Sequence, residues 1–545
     1  MKKSTISVCI LLISLFVYPQ NYLPKSGTMN KYTVYNFSQH WNLTVPDSQI
    51  FQTLPDMIIR GWSQWDKSGT APTDFNFSII SQYHQKSVSF IGGITATVYF
   101  FDQAEDSAQF KDMVTRDAYN NLVPHNIVGY GAFRGNIASP AYRDYLIKMA
   151  KIQIDGGTDG IFLDEVLSGY NGAKYNGNEG FDDYTLKDFN KYLAAKYPDY
   201  NKADWIDKFK MTENNYINTA SPLIDLNQNF NYRKYLKNKG WQSDPLTASN
   251  LLATEWGKVI DNRADTISDT FLAKITTTYW REIVSRIRQY ARNTYGKEIL
   301  VTANGLFPYV DFNSLGMYDG NHDNNGAEVK YVPVDKSGHL NGSFSLQNVF
   351  TSLYQRNYSL AGDAPVILFI DWPTQSIKDY YNLSLNEKKD YWKIFAAEAY
   401  ANGLFMAFHL RTAMPEDPTA AEQEMLDFFK DYPTFYKKNA SLYHNNEIIE
   451  KQIEISENGI SCSVMHYKDS ERYSIHLVNH NYKAKTGMVP KKDVSISLKL
   501  DVVPKNVSIK STDFSETIKP VTYFRNSVLN IKVDNLNYYN VIIIE

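Results

Sequence analysis

Eight short apolar runs recur between Met57 and His409, and they restrict the fold of this chain more than any other feature. They fall at 57–62, 88–92, 127–130, 160–164, 299–304, 315–319, 366–373 and 404–409. Continuous apolar runs of this length read as strands covered on both faces of a parallel sheet. Helical patterns lie between many of them, and that alternation argues for crossovers between parallel strands. Polar residues stand at the C-terminal ends of most runs, among them Arg60, Asp164, Asn304, Asp319, Asp371 and His409. A closed barrel gathers its strand ends at one rim, so this pattern predicts an α/β fold of the (β/α)8 TIM-barrel type rather than an open sheet. No glycine-rich phosphate fingerprint follows any run, which argues against a dinucleotide fold.

The fourth run shows how the local signals combine. Ser139-Pro140 offers a cap residue with proline at the first helical position. Tyr142, Tyr145, Leu146, Met149, Ala150 and either Ile152 or Ile154 then share one helical face. Gly156 and Gly157 supply a left-handed cap that ends the helix. Ile161-Phe162-Leu163 is the buried strand, closed by Asp164 and Glu165. Beyond Glu165 the alternation stops. A Gly- and Asn-rich loop from 168 to 180 precedes helical patterns at 184–196, 232–236 and 265–295. A helical insertion after strand four, over 168–296, is expected to wall the binding cleft, a structural excursion that packs elsewhere being the alternative. No element is assigned between 31 and 54.

Past Tyr443 the hydrophobic period falls to two: Tyr473, Ile475 and Leu477 alternate with polar residues, as do Val494, Ile496, Leu498 and Leu500, and Leu529, Ile531 and Val533. That period predicts a C-terminal all-β sandwich over 445–545, behind a barrel over 30–440. At 545 residues the chain is long for one core, and two domains are the natural division. At the N-terminus Lys2 and Lys3 precede an apolar stretch from Ile6 to Tyr18, the layout of a secretory signal peptide over 1–20. The stretch is short for a bilayer span. A secreted, periplasmic or cell-surface location follows, with no stable membrane span after cleavage. The two cysteines are Cys9, in the leader, and Cys462, so the mature chain can form no internal disulfide. Net charge is −3 with no basic patch, which argues against a nucleic-acid partner.

Carboxyl groups at several strand ends suit glycoside hydrolysis, where one acid protonates the leaving oxygen and another attacks the anomeric carbon or activates water. Asp164, Glu165, Asp319 and Asp371 form the inventory, although a strand-end acid can equally cap the next element. The chain is rich in aromatics, with 40 Tyr, 29 Phe and 9 Trp. Trp62, Tyr318 and Trp372 stand where a ring can stack on a sugar, core packing being the alternative for each. Arg60, Asn304, His409 and Arg411 are candidates to bind sugar hydroxyls. Asp319, His322 and Asp323 match no strong metal spacing, so neither a metal nor a cofactor is expected. The expected partner is an oligo- or polysaccharide substrate.

The segment from Ser139-Pro140-Ala141-Tyr142-Arg143 to Asp164-Glu165 resembles uncharacterised barrel-type glycoside hydrolases, in which a helix leads into a Gly-x-Asp-Gly-x-x-x-Asp-Glu strand. Gly157-Thr158-Asp159-Gly160 through Asp164 is similar to the nucleophile strand of the dextranase and cycloisomaltooligosaccharide glucanotransferase family. Tyr473-Ser474-Ile475-His476-Leu477-Val478-Asn479 resembles a strand in the C-terminal sandwich of such enzymes. The resemblance implies a retaining hydrolase with Asp164 as nucleophile and an acid/base on the sixth strand, where Asp319 stands. That family places a glutamate there, so Asp319 departs from its pattern. Two other readings remain open. The large clan of β-glycosidases with its acid/base on strand four would assign that role to Glu165 and its nucleophile to strand seven, where Asp371 stands in place of a glutamate. A barrel that binds carbohydrate without cleaving it is the third.

Overall fold

The computed structural model describes residues 27–38, 53–60, 77–125, 131–164, 166, 179–209, 230–239, 251–256, 271–317, 330–341, 345–370, 375–408, 420–468 and 470–545. Eight parallel strands make one sheet in sequential order: β1 (Tyr35–Ser38), β2 (Met57–Arg60), β3 (Ser89–Thr95), β4 (Gly160–Asp164), β5 (Leu300–Asn304), β6 (Phe312–Met317), β7 (Val366–Ile370) and β8 (Phe405–Met406). A parallel bridge between Tyr35 and Ala407 joins the two edges, and the Phe408 N–H donates to Tyr35 O at 2.8 Å. The barrel expected from the sequence is therefore present.

Its strand list differs from the expected one in two places. β1 lies in the stretch left without an element. The run at 127–130 falls outside the described residues, and β3 pairs directly with β4, from Ile91↔Gly160 to Thr95↔Asp164, leaving no place for a barrel strand between them. One strand missed and one supplied in excess cancel, so the strand ending in Asp164 is still the fourth.

Alternation along the strands separates interior from exterior. Phe37 on β1 stacks on Phe369 on β7, with centroids 3.9 Å apart, and Phe162 on β4 packs edge-on against Phe37 at 5.6 Å. Rings from strands one, four and seven meet only inside a barrel, so Phe162 points inward. Its neighbours Ile161 and Leu163 belong instead to a buried cluster with Leu146, Ile154, Ile283 and Ile287 of the outer helices α2 (Pro140–Asp155) and α7 (Phe271–Tyr295).

α2 starts as its sequence dictates. Ser139 Oγ accepts from the Tyr142 N–H, and Pro140 fills the first turn, where no N–H is needed. The helix ends because Gly157 takes φ +101°, a left-handed value that a side chain would strain. Gly92 on β3 lets α2 close on the sheet: a Cβ there would stand 2.0 Å from Gln153 Oε1. Between β4 and α7 the described helices are α3 (Asp183–Lys196), α4 (Lys202–Phe209), α5 (Tyr232–Lys239) and α6 (Leu251–Trp256).

Past Asn446 the chain is antiparallel. One sheet orders β9 (Asn446–Ile449), β11 (Ile460–Tyr467), β12 (Tyr473–Asn479), β17 (Tyr539–Ile544) and β14 (Val507–Ser511); the other orders β10 (Ile453–Ile455), β13 (Lys491–Lys499), β16 (Val528–Leu536) and β15 (Val521–Arg525). Ile475, Leu477 and Ile542 of the first share one core with Val494, Ile496, Leu498, Leu529, Ile531 and Val533 of the second. The first sheet also touches the barrel, because Val478, Tyr539, Val541 and Ile543 join the cluster that contains Ile394, Phe395 and Tyr400 of a barrel helix. Among the described residues no helix is long and apolar enough to cross a membrane.

Candidate active site

Asp164 is the last residue of β4, two positions beyond the inward-facing Phe162, so pleating turns its side chain to the same side. It sits at the C-terminal end of the barrel, 6% exposed. Its backbone carbonyl accepts from the Ala96 N–H at 3.2 Å, which ties the end of β4 to the chain leaving β3. Tyr142 of α2 reaches the same place from below: its hydroxyl donates to Ala96 O at 3.1 Å. Gly135 admits that ring, since a Cβ there would stand 1.9 Å from Tyr142 Cζ.

The side chain of Asp164 meets the next strand. Asn304, the last residue of β5, donates from Nδ2 to Asp164 Oδ1 at 2.6 Å. Asn304 Oδ1 in turn accepts from the Gly316 N–H of β6 at 3.2 Å. Three successive strand ends are thus joined across the rim by one amide. Below them Thr302 and Ser314 share a buried hydroxyl–hydroxyl contact of 3.0 Å between β5 and β6.

Of the residues singled out in the sequence, the structure brings Asp164 and Asn304 together. Arg60 ends β2, and only its backbone is described. Trp62, Glu165, Tyr318, Asp319, His322, Asp323, Asp371, Trp372, His409 and Arg411 lie outside the described residues. Among the described residues no cluster of three or more His, Cys, Asp or Glu side chains could hold a metal ion.

A feature the sequence did not reveal is a buried ion pair near the end of β3. Arg134, on a short strand (Ala132–Arg134) that pairs with Val98–Phe100, has Nε 3.9 Å from Glu179 Oε2 and donates from Nη1 to Thr97 Oγ1 at 3.2 Å. Both side chains are nearly inaccessible, 1% and 0% exposed. They lie 45 residues apart in a stretch without regular alternation, so no spacing could have paired them.

No family model matches the chain, and no curated protein matches it. Solved structures share its fold. The Paenibacillus sp. cycloisomaltooligosaccharide glucanotransferase complexed with cycloisomaltoheptaose aligns with a TM-score of 0.50 and 10% identity, over 95% of this chain and 86% of that one. The alpha-L-fucosidase isoenzyme 2 from Paenibacillus thiaminolyticus aligns with a TM-score of 0.51 and 8% identity, over 94% of this chain and 99% of that one. The likeness is one of architecture, a barrel followed by β-sheets, and it agrees with the distant family resemblance read from the sequence.

Proposed function

We propose that the chain is a glycoside hydrolase acting on an oligo- or polysaccharide, with Asp164 as the attacking carboxylate. The observation that carries this reading is the position of Asp164: an inward-facing acid ending the fourth strand, at the barrel end where (β/α)8 enzymes work. The fold shared with a glucanotransferase and a fucosidase supports it.

In a retaining mechanism Asp164 would attack the anomeric carbon while a second acid protonates the departing oxygen, and water would then release the glycosyl group. The second acid is proposed from the chain leaving β6 or β7, where the sequence offers Asp319 and Asp371. Alternation bears on the choice. On β6 the interior-facing residues are even-numbered, Ser314 among them, whereas Asn313 Nδ2 donates outward to Asn357 of helix α8 (Gln347–Ala361) at 2.8 Å. On β7 the interior-facing Phe369 precedes Asp371 by two positions. Were alternation to run on past both strand ends it would favour Asp371 as the partner, while the family resemblance favours Asp319.

The helical segment 168–296 is proposed to wall the cleft, the boundaries 30–440 and 445–545 to separate barrel from sandwich, and residues 1–20 to direct export. Limited proteolysis and N-terminal sequencing of the exported protein check the last two.

The central test is a screen for released reducing sugar on varied glycans, with Asp164→Asn as control. Release by the wild type and none by the variant is expected. Near-wild-type release by Asp164→Asn, with loss in Glu165→Gln, would transfer the assignment to the strand-four glutamate. Glycan binding without release by the wild type would favour a non-catalytic barrel.

A further inference from the structure

We propose that Asn304 is a positioning residue for Asp164 rather than a ligand for a sugar hydroxyl, its amide being locked between the Asp164 carboxylate and the Gly316 backbone. The assignment as a positioning group rests on the hydrolase reading above; the contact itself does not.

The amide orientation follows from its two partners. The Gly316 N–H, 3.2 Å from Asn304 Oδ1, can only donate. The oxygen must therefore face β6 and the NH2 group must face β4, where Asp164 Oδ1 accepts at 2.6 Å. A flipped amide would set NH2 against N–H and oxygen against carboxylate, losing both bonds and gaining two repulsions. The backbone of one strand thus fixes which way the side chain of the next strand presents its donor.

Burial makes that donor matter. Asp164 is 6% exposed, so water cannot replace the bond freely, and a donor aimed at a carboxylate steadies its charged form. A rim residue free to bind hydroxyls would keep its polar atoms toward the cleft. Asn304 instead spends both its oxygen and one N–H on neighbouring strands. Holding Asp164 Oδ1 leaves the carboxylate a single orientation about its last torsion, which is what an attack on a carbon requires.

Two kinds of measurement test this, one with substrate and one without. Asn304→Ala should lower kcat at least tenfold with KM changed by less than threefold. A sugar ligand would show the reverse, a raised KM with kcat retained, and that result would overturn the proposal. Asn304→Asp sets two carboxyl groups in contact, so the pair should retain a proton that two free aspartates would release. The thermal midpoint of Asn304→Asp should then fall as pH rises from about 4 to 7, because the folded state binds more protons than the unfolded one across that range.

That added slope should vanish when Asp164→Asn is combined with Asn304→Asp. The exchanged pair should recover stability but not turnover, since its carboxylate stands on the wrong strand. An Asn304→Asp midpoint with the wild-type pH dependence would show that the two side chains are not coupled. If Asn304→Asp does not fold, the split between kcat and KM in Asn304→Ala still decides. If the slope appears while no glycan is cleaved by the wild type, the pairing stands and the hydrolase reading falls.

Discussion

Two buried carboxylates in this molecule invite comparison. Asp164 ends a strand at the barrel rim, and Glu398 sits on helix α9 (Leu385–Ala401), where the barrel meets the C-terminal sheets. Glu398 is wholly inaccessible and ringed by donors. Its Oε1 accepts from Ser345 Oγ at 3.0 Å and Ser461 Oγ at 2.8 Å, and lies 2.7 Å from His480 Nε2. Its Oε2 accepts from the Leu346 N–H at 2.6 Å. Donors thus arrive from the loop before α8, from β11 and from the end of β12. Such a carboxylate is satisfied on every side and has nothing left to offer a substrate.

Asp164 is nearly as buried, but it lies at the end of the barrel where strand ends converge, and its described side-chain donor is itself clamped from behind. The difference teaches that burial alone does not separate an acid built into the packing from one proposed to act at the rim. What distinguishes them is where they stand: Glu398 is enclosed by packed elements at the seam with the C-terminal sheets, whereas Asp164 ends a strand at the mouth of the barrel. The predictions that follow set these two sites against each other.

The largest expected effect is at the rim. On the proposed reading, Asp164→Asn should cut turnover by about 10³-fold or more, because an attacking carboxylate supplies stabilisation in the transition state that its amide does not. The same variant should unfold within about 2 °C of the wild type, because the amide keeps the shape and an acceptor for Asn304. Glycan assays and differential scanning calorimetry on one preparation check both halves.

Glu398→Ala should give the opposite pattern. Removing one partner of a buried, hydrogen-bonded charge costs about 3–5 kcal/mol. The urea midpoint should drop accordingly, while turnover per folded molecule stays within about twofold, because the described partners of Glu398 and of Asp164 are different residues. A Glu398→Ala protein with normal stability and no activity would abolish the contrast between the two acids.

The pair also shows what a sequence can carry. Asp164 was legible because it ends an apolar run behind a capped helix and a glycine stop, all local signals. Its bond to Asn304 was not, because Leu163↔Ala303 and Asn304↔Ser314 are register facts about strands far apart in sequence. Glu398 gave no signal at all, being one charge on a long helix. β1 was missed for a related reason. In Tyr35-Asn36-Phe37-Ser38 the polar Asn36 interrupts the run, yet it is buried and donates from Nδ2 to Phe408 O at 2.6 Å, sealing the barrel against β8. A polar residue used to close a seam looks, in sequence, like a loop. The C-terminal strands were easier, since alternation of period two needs no partner to be seen.

Acid should weaken the sandwich side of the comparison next. His476 on β12 is fully buried, with Nε2 2.9 Å from Ser474 Oγ and Nδ1 2.6 Å from Tyr539 Oη. Burial depresses its pKa to about 3, so it stays neutral in the folded protein long after an exposed histidine would be charged. The unfolded chain takes up that proton near pH 6.5, so stability is fully present above pH 6.5 and is lost as pH falls toward the folded value. Each such histidine contributes a slope of about 1.4 kcal/mol per pH unit in that window. His444, held down to about 4 mainly by burial, adds to it over a narrower window. Urea midpoints from pH 7 to 4.5 should fall steeply in the wild type and less steeply in His476→Gln. An unchanged slope in that variant would place the acid sensitivity elsewhere.

The smallest effect concerns the scaffold that delivers Asp164 to the rim. Ser139 caps α2 by accepting from the Tyr142 N–H at 3.4 Å, and its hydroxyl also donates to Asp112 Oδ2 at 3.0 Å. Ser139→Ala leaves a helix N-terminus with one orphan donor, a loss of about 1 kcal/mol. The helix should survive, because Tyr142, Leu146, Ala150 and Ile154 remain packed in the cluster that covers β4. Tyr142 would also keep its hold on Ala96 O, so the backbone that carries Asp164 should not move. The expected outcome is a small drop in midpoint with kcat and KM unchanged. Were kcat to fall with the midpoint, the rim would be sensitive to the helix beneath it, and the division between a rigid scaffold and a separately tuned pair of residues at its mouth would have to be given up.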